Sequence, residues 1–371
     1  MKLLKVIASG FKNCADDFQI SLVPTARKTA EDKEYELQEI TDGLFVFSTV
    51  GIVGKNASGK TSALELLNVC YRILWLFRVP KETFSLDSVR LTIFFYHENY
   101  VYRYSTGLKE TIMEDKVFFV DQVLQCKKYY KSNVNDIFNT EGFVNCEFEG
   151  ELPEDTSIIF FVMKKIFLGS IFFDCYDIGI TAYRDVFKML KASDISEEVL
   201  MKIIKIFDEN VMELKMSDDQ NYQLKYDGKT EKLSDKELYY RLSSGTTKGL
   251  NLYICIMISL QNGVDIIIDE IENHFHKTLV ENIISLYKDK SINKHNATLI
   301  FATHYCEILD LFNRQDNIYI TKADNKVHIL NMYKDYDVRP ELLKSKQFYN
   351  DTFKTAVNYD ALMDLKKELK K

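Results

Sequence analysis

Apolar and polar positions alternate through LLKVIASGF (residues 3–11) and crowd together in GLFVFSTVGIVG (43–54). They then recur every three to four residues along TSALELLNVCYRILWLF (61–77). The first two patterns predict strands and the third an amphipathic helix. VRLTIFFY (89–96) and NYVYRYST (99–106) return to strand period, with His97, Glu98 and Asn99 as the turn between them.

The pattern changes over residues 111–234. SIIFFVMKKIFLGSIFF (157–173) is the most lipid-like run, but Lys164 and Lys165 split it. A spanning helix needs about 20 mostly apolar residues, so a buried or partner-facing helix is expected. Residues 157–214 read as mostly helical. EEVLMKIIKIFDENVMEL (197–214) lines up Val199, Leu200, Ile203, Ile204, Phe207, Val211 and Leu214 on one face, with Ser196 as N-cap. NYQLKYDG (221–228) reads as a strand entering a turn. From 235 to 335 helical and strand patterns alternate: NLYICIMISL, VDIIIDE, a helix near 276–288, ATLIFATH, NIYITKA and KVHILNM. Such alternation predicts a parallel sheet. The predicted fold is α/β with a mostly parallel sheet, its core from residues 1–110 and 235–335. A helical insertion (111–234) splits that core, and a C-terminal helical segment (336–371) follows it.

Composition narrows the class. The chain has 371 residues, 46% of them apolar, which supports a sizeable core. A net charge of −7 means that a nucleic-acid contact would need a local basic patch. The tail DLKKELKK (364–371) is basic, but reads as a solvated helix end. The seven cysteines are irregularly spaced with no C-x-x-C pair, so reduced thiols in a cytoplasmic protein are expected. The N-terminus does not read as a signal peptide, and no membrane segment is expected.

Three motifs carry chemistry. GKNASGKT spans Gly54, Lys55, Asn56, Ala57, Ser58, Gly59, Lys60 and Thr61, with Ser62 next. It fits the phosphate-binding loop G-x-x-x-x-G-K-[ST] and sits between a β-rich run and a helix, the context that motif needs. Lys60 would reach the β- and γ-phosphates of a bound nucleotide, and the Thr61 hydroxyl would hold Mg²⁺. DIIIDE (265–270) is a buried strand with Asp269 and Glu270 at its C-terminal end, where open α/β sheets bind ligands. Asp269 would hold Mg²⁺ through water and Glu270 would polarise the attacking water. TLIFATH (298–304) ends a further apolar strand in His304, placed to sense the γ-phosphate. Glu272, His274 and His276 could be read as metal ligands, but a loop facing another subunit is the better reading.

RLSSGTTKGL (241–250) is a helix cap by composition, and also an anion grip, since free N–H groups and the helix dipole point the same way. Taken with the other three motifs in this order, it resembles the ABC-type ATPases, and more closely their SMC/RecF-like branch. LSSG (242–245) aligns with the LSGG signature: Ser243 and Gly245 match, Ser244 replaces the first glycine, and Thr246 replaces the usual glutamine. The resemblance implies an ATPase head using ATP and Mg²⁺, and a nucleotide-contacting glutamine in the region where Gln122 and Gln125 lie, neither of which has a supporting pattern. It also implies that Ser243, Ser244 and Gly245 act on the nucleotide of another copy, in a homodimer or higher even oligomer. LLKVIASGFKN, DEIENHFH (269–276) and YDVRPELLKSKQFYND (336–351) look like the standalone ATPases of bacterial anti-phage and abortive-infection systems, of the Rlo-, PARIS- and OLD-like types. That narrower resemblance implies a switch controlling a partner effector such as a nuclease or toxin. A nuclease domain of the OLD type, a long coiled coil and a C-x-x-C hook are not expected in this chain. The alternative is a RecF-like DNA-binding ATPase of replication or repair, which leaves nucleic acid open as a ligand. No residue cluster resembles a nuclease site.

Overall fold

Apolar runs from distant parts of the chain meet in one six-stranded sheet, ordered Ser170–Phe173, Asp265–Ile268, Leu299–Thr303, Thr49–Val53, Ile318–Asp324, Lys326–Asn331. All neighbours are parallel except the last pair. The computed structural model describes every residue except 112–115, 164–168, 175–177, 194, 219, 274, 340–341, 356–358 and 371. The three central strands are buried along their whole length, which explains their unbroken apolar sequences.

Alternate side chains of these strands enter different cores. Ile267, Ile300, Val50 and Ile52 pack with the helix Lys60–Leu76 and with the antiparallel sheet beyond it. That second sheet is ordered Phe18–Ser21, Lys2–Ser9, Arg90–His97, Tyr100–Glu110, Val117–Lys128, Val144–Asn145. Ile266, Ile268, Leu299 and Phe301 pack on the other face, with the helices Ser244–Asn262 and Lys277–Lys288. The architecture is the α/β fold with a mostly parallel sheet that the pattern predicts. The hairpin expected at residues 97–99 is present, with Glu98 and Asn99 both at positive φ.

One fully buried carboxylate ties the layers together. Asp265 accepts from Lys2 Nζ at 2.5 Å, from Tyr71 Oη at 2.6 Å and from the Thr298 amide at 2.6 Å. It thereby joins the first strand, the helix Lys60–Leu76 and the segment entering Leu299–Thr303.

Residues 157–214 depart from the helical pattern. Helices form at Ile159–Met163, Ala182–Ala192 and Glu197–Phe207, but residues 170–173 are a parallel edge strand on Asp265–Ile268. The single buried or partner-facing helix expected over 157–173 is therefore corrected; Lys164 and Lys165 lie outside the described residues. Ile171, Phe172 and Phe173 suit a strand as well as a helix, and pairing with three isoleucines decides between them. Ser196 takes the expected N-cap position, but the helix ends at Phe207. The Asn210 amide donates to Asp208 Oδ1 at 3.1 Å, closing a turn, and Val211 and Leu214 lie in the strand Val211–Asp218. That strand pairs with Asn221–Tyr226, and the latter with Lys229–Ser234. The tail is a helix over Tyr359–Glu368, exposed through its last turns. Among the described residues no helix is long and apolar enough to cross a membrane, and the cysteines are free thiols; Cys175 lies outside those residues.

Candidate active site

The strand Thr49–Val53 delivers the chain to the loop 54–59, and the helix Lys60–Leu76 carries it away. Lys55, Asn56 and Ala57 are exposed at the rim, while Ser58 turns inward and shares a 2.6 Å hydrogen bond with Thr321. Gly59 holds φ +97°, and a Cβ there would lie 2.2 Å from Val327 Cγ1. Gly54 is equally confined, since its Cβ would lie 2.4 Å from both Ser58 Oγ and Thr321 Oγ1. Both glycines are thus required by neighbouring protein atoms. Ala57 adopts φ 58° without being glycine, a left-handed conformation that costs on the order of 1–3 kcal/mol.

Lys60 is buried against this loop. Its Nζ donates to the carbonyls of Gly54 at 3.0 Å and Lys55 at 3.1 Å, and lies 3.4 Å from His304 Nδ1. Burial lowers the pKa of its ammonium, opposed by the charges of Asp269, Glu270 and Glu272. One residue on, Thr61 Oγ1 donates to Asp269 Oδ2 at 2.6 Å. Ser62 is the next residue of the helix and is half-buried.

Asp269 follows the buried strand Asp265–Ile268, and burial raises its carboxyl pKa, against the hydrogen bond from Thr61. Asp174 follows the neighbouring strand Ser170–Phe173, and its charge adds to the same effect. Glu270 holds φ 47°, the second strained non-glycine of the site. Its Oε1 lies 3.8 Å from His304 Nε2. His304 follows Leu299–Thr303, so its ring stands between Lys60 and Glu270. Beside these groups runs a groove of about 440 Å³ lined by Lys55, Asn56, Thr303, His304, Phe348 and Thr355.

The structure therefore brings Lys60, Thr61, Asp269, Glu270 and His304 together. Ser243, Ser244 and Gly245 lie at the head of the helix Ser244–Asn262. Ser243 Oγ accepts the Thr246 amide at 3.0 Å, so it caps that helix, and Ser243 and Ser244 are both exposed. Gln122 bonds to Tyr104, Ile158 and Thr156, and Gln125 to Arg103 and Asn145. Both glutamines thus brace the second sheet.

Of the loop 272–276, the described residues Glu272 and His276 are each engaged by main-chain N–H groups. His276 caps the helix Lys277–Lys288 through the Thr278 amide, Glu272 accepts the His304 amide at 2.6 Å, and His274 lies outside the described residues. Among the described residues no group of three or more His, Cys, Asp or Glu could hold a metal ion. The Glu272–His304 contact had no sequence signal beyond a carboxylate three residues after Asp269.

No protein-family model matches the chain, and no curated protein matches its sequence. Among solved structures it is similar to the SMC head domain from Thermotoga maritima, at 13% identity and a TM-score of 0.42, over 89% of this chain and 99% of that one. It is also similar to an Smc head bound to the C-winged helix domain of ScpA, at 11% identity and a TM-score of 0.45, over 90% and 99%.

Proposed function

We propose that the chain is an ATPase working as a nucleotide-dependent switch. One observation carries the reading: Lys60, Thr61, Asp269, Glu270 and His304 meet beside a strand–loop–helix whose sequence is GKNASGKT. The loop N–H groups and Lys60 would hold the phosphates of ATP. Thr61 and Asp269 would hold Mg²⁺, and the fit is chemical: a hydroxyl and a carboxylate 2.6 Å apart are hard oxygen donors of the kind that cation takes. The half-buried Asp269 carboxylate favours a nearby cation for the same reason that its pKa is raised. A bound Mg²⁺ would supply charge neutralisation at the phosphates. Glu270 would orient the attacking water and His304 would face the γ-phosphate, so that the protein acts by positioning and electrostatics.

Ser243, Ser244 and Gly245 would complete the site of another copy, making the working unit a homodimer or higher even oligomer. Nucleotide state would then set the closed or open form. Resemblance of the motifs to anti-phage ATPases supports a sensor role over an effector protein, a nuclease or another toxin. A RecF-like role would show instead as ATP-dependent DNA binding. The test is Glu270→Gln. Losing the water-orienting group is expected to lower turnover by about 100-fold or more while ATP affinity is kept. Steady-state hydrolysis within about twofold of wild type overturns the assignment.

A further inference from the structure

Glu272 is buried, yet it is a carboxylate with only one oxygen in use. Oε1 accepts the His304 main-chain N–H at 2.6 Å, and Oε2 is buried with no hydrogen-bond partner among the described residues. Buried charges are normally paired, and a packing role would be met more cheaply by an apolar side chain. The position explains the choice. The strands Asp265–Ile268 and Leu299–Thr303 run in parallel register as far as Ile268 and Phe301. Beyond that ladder, the Ile271 amide donates to the Ala302 carbonyl at 3.1 Å, and Glu272 then reaches across to the amide of His304. The carboxylate thus replaces the missing main-chain acceptor, and a charge-assisted bond of this kind is about twice as strong as a neutral one.

His304 is the residue whose ring lies 3.4 Å from Lys60 Nζ and 3.8 Å from Glu270 Oε1. Fixing its main chain anchors the point from which the ring reaches those two groups. The charge of Glu272 also acts on Lys60, in the direction that keeps the ammonium protonated. We propose that Glu272 is a positioning residue, which locks His304 to the loop carrying Asp269 and Glu270 so that the ring and the two acids move as one unit. The proposal rests on the ATPase reading of this site.

The test uses the full chain and compares Glu272→Ala, Glu272→Gln, His304→Ala and the double variant Glu272→Ala/His304→Ala. Steady-state kinetics give kcat and KM for ATP. Glu272→Ala is expected to lower kcat by about 10- to 100-fold with KM changed by less than about threefold, the size of effect seen when a supporting shell is removed. Glu272→Gln keeps an acceptor oxygen and is expected to restore most of kcat. The double variant is expected to be no slower than His304→Ala, since residues acting as one unit are not additive. Glu272→Met, of similar length and without an acceptor, takes the place of the alanine variant if that one does not fold. Wild-type kcat in Glu272→Ala, a glutamine variant as slow as alanine, or additive losses would each overturn the proposal. If the wild type does not hydrolyse ATP, the ATPase reading falls, and hydrogen exchange at the His304 amide decides this contact separately. Slow exchange in wild type and Glu272→Gln with fast exchange in Glu272→Ala supports it, and equal rates in all three overturn it.

Discussion

Lys60 shows how a single side chain is held ready. An ammonium has three donors, and two of them are engaged by the Gly54 and Lys55 carbonyls of its own loop. These bonds tie the amine to the loop, and on the proposed reading phosphate oxygens would take their place. Lys60→Ala leaves two rim carbonyls to water, which costs about 1 kcal/mol. The fold should therefore survive. Wild type is expected to gain thermal stability with Mg-ATP, because a ligand that binds only the folded state stabilises it, and Lys60→Ala is expected to lose that gain. A full ATP-dependent shift in the variant would refute the phosphate role of this lysine. Ala57 and Glu270 belong to the same scale. Both hold left-handed backbone, and both flank the proposed phosphate position, where strain is retained because surrounding contacts over-determine it.

Buried polar links between elements are costly to break. Asp265 lies at the start of its strand, and its carboxylate holds groups from the N-terminal strand, the helix Lys60–Leu76 and the entry to Leu299–Thr303. Removing it leaves the Lys2 ammonium buried and unpaired. Asp265→Ala is expected to destabilise the fold by about 3–5 kcal/mol, the range for breaking one side of a buried pair. Urea unfolding checks this, and a loss below about 1 kcal/mol would mean that water takes over the pairing. The 3₁₀ turn Cys306–Leu311, directly after His304, is held in a similar way. Asp310 accepts the Ser345 amide, and Lys344 Nζ donates to the Phe312 carbonyl at 2.7 Å, so the helix Lys344–Tyr349 braces the chain that leaves the site.

At the scale of the molecule the question is whether one copy suffices. Ser243 and Ser244 are exposed at a helix N-terminus, whose dipole and free N–H groups favour an anion. Gly245→Glu adds a carboxylate there. If this end closes on the γ-phosphate of a second copy, like-charge contact costs several kcal/mol, and the variant should bind ATP without hydrolysing it. Mixed with Lys60→Ala, it supplies the sound loop while the other chain supplies the sound helix end. One composite site of the mixed dimer is then intact, and partial ATPase activity is expected to return. Full activity of Gly245→Glu alone, with none restored in mixtures that form dimers, would reduce 243–245 to a helix cap.

Local chemistry determined much of this protein. Periodicity and glycine placement marked the buried strands 49–53, 265–268 and 299–303 and the helix after the loop, because a fully buried parallel strand leaves an unbroken apolar run. Motif order also marked the residues that gather at the strand ends. Other features were decided only in three dimensions. SIFF became a strand because an open sheet edge of three isoleucines stood beside it, and isolated propensity could not choose. The helix carrying Val199 to Phe207 stopped short of Val211 because an Asp208 turn and pairing with Asn221–Tyr226 competed for the chain. The burial of Asp265 and the reach of Glu272 to His304 depend on contacts between residues 263 and 32 positions apart. A carboxylate reads the same in sequence whether it meets water, a lysine or a backbone amide, and packing alone settles which.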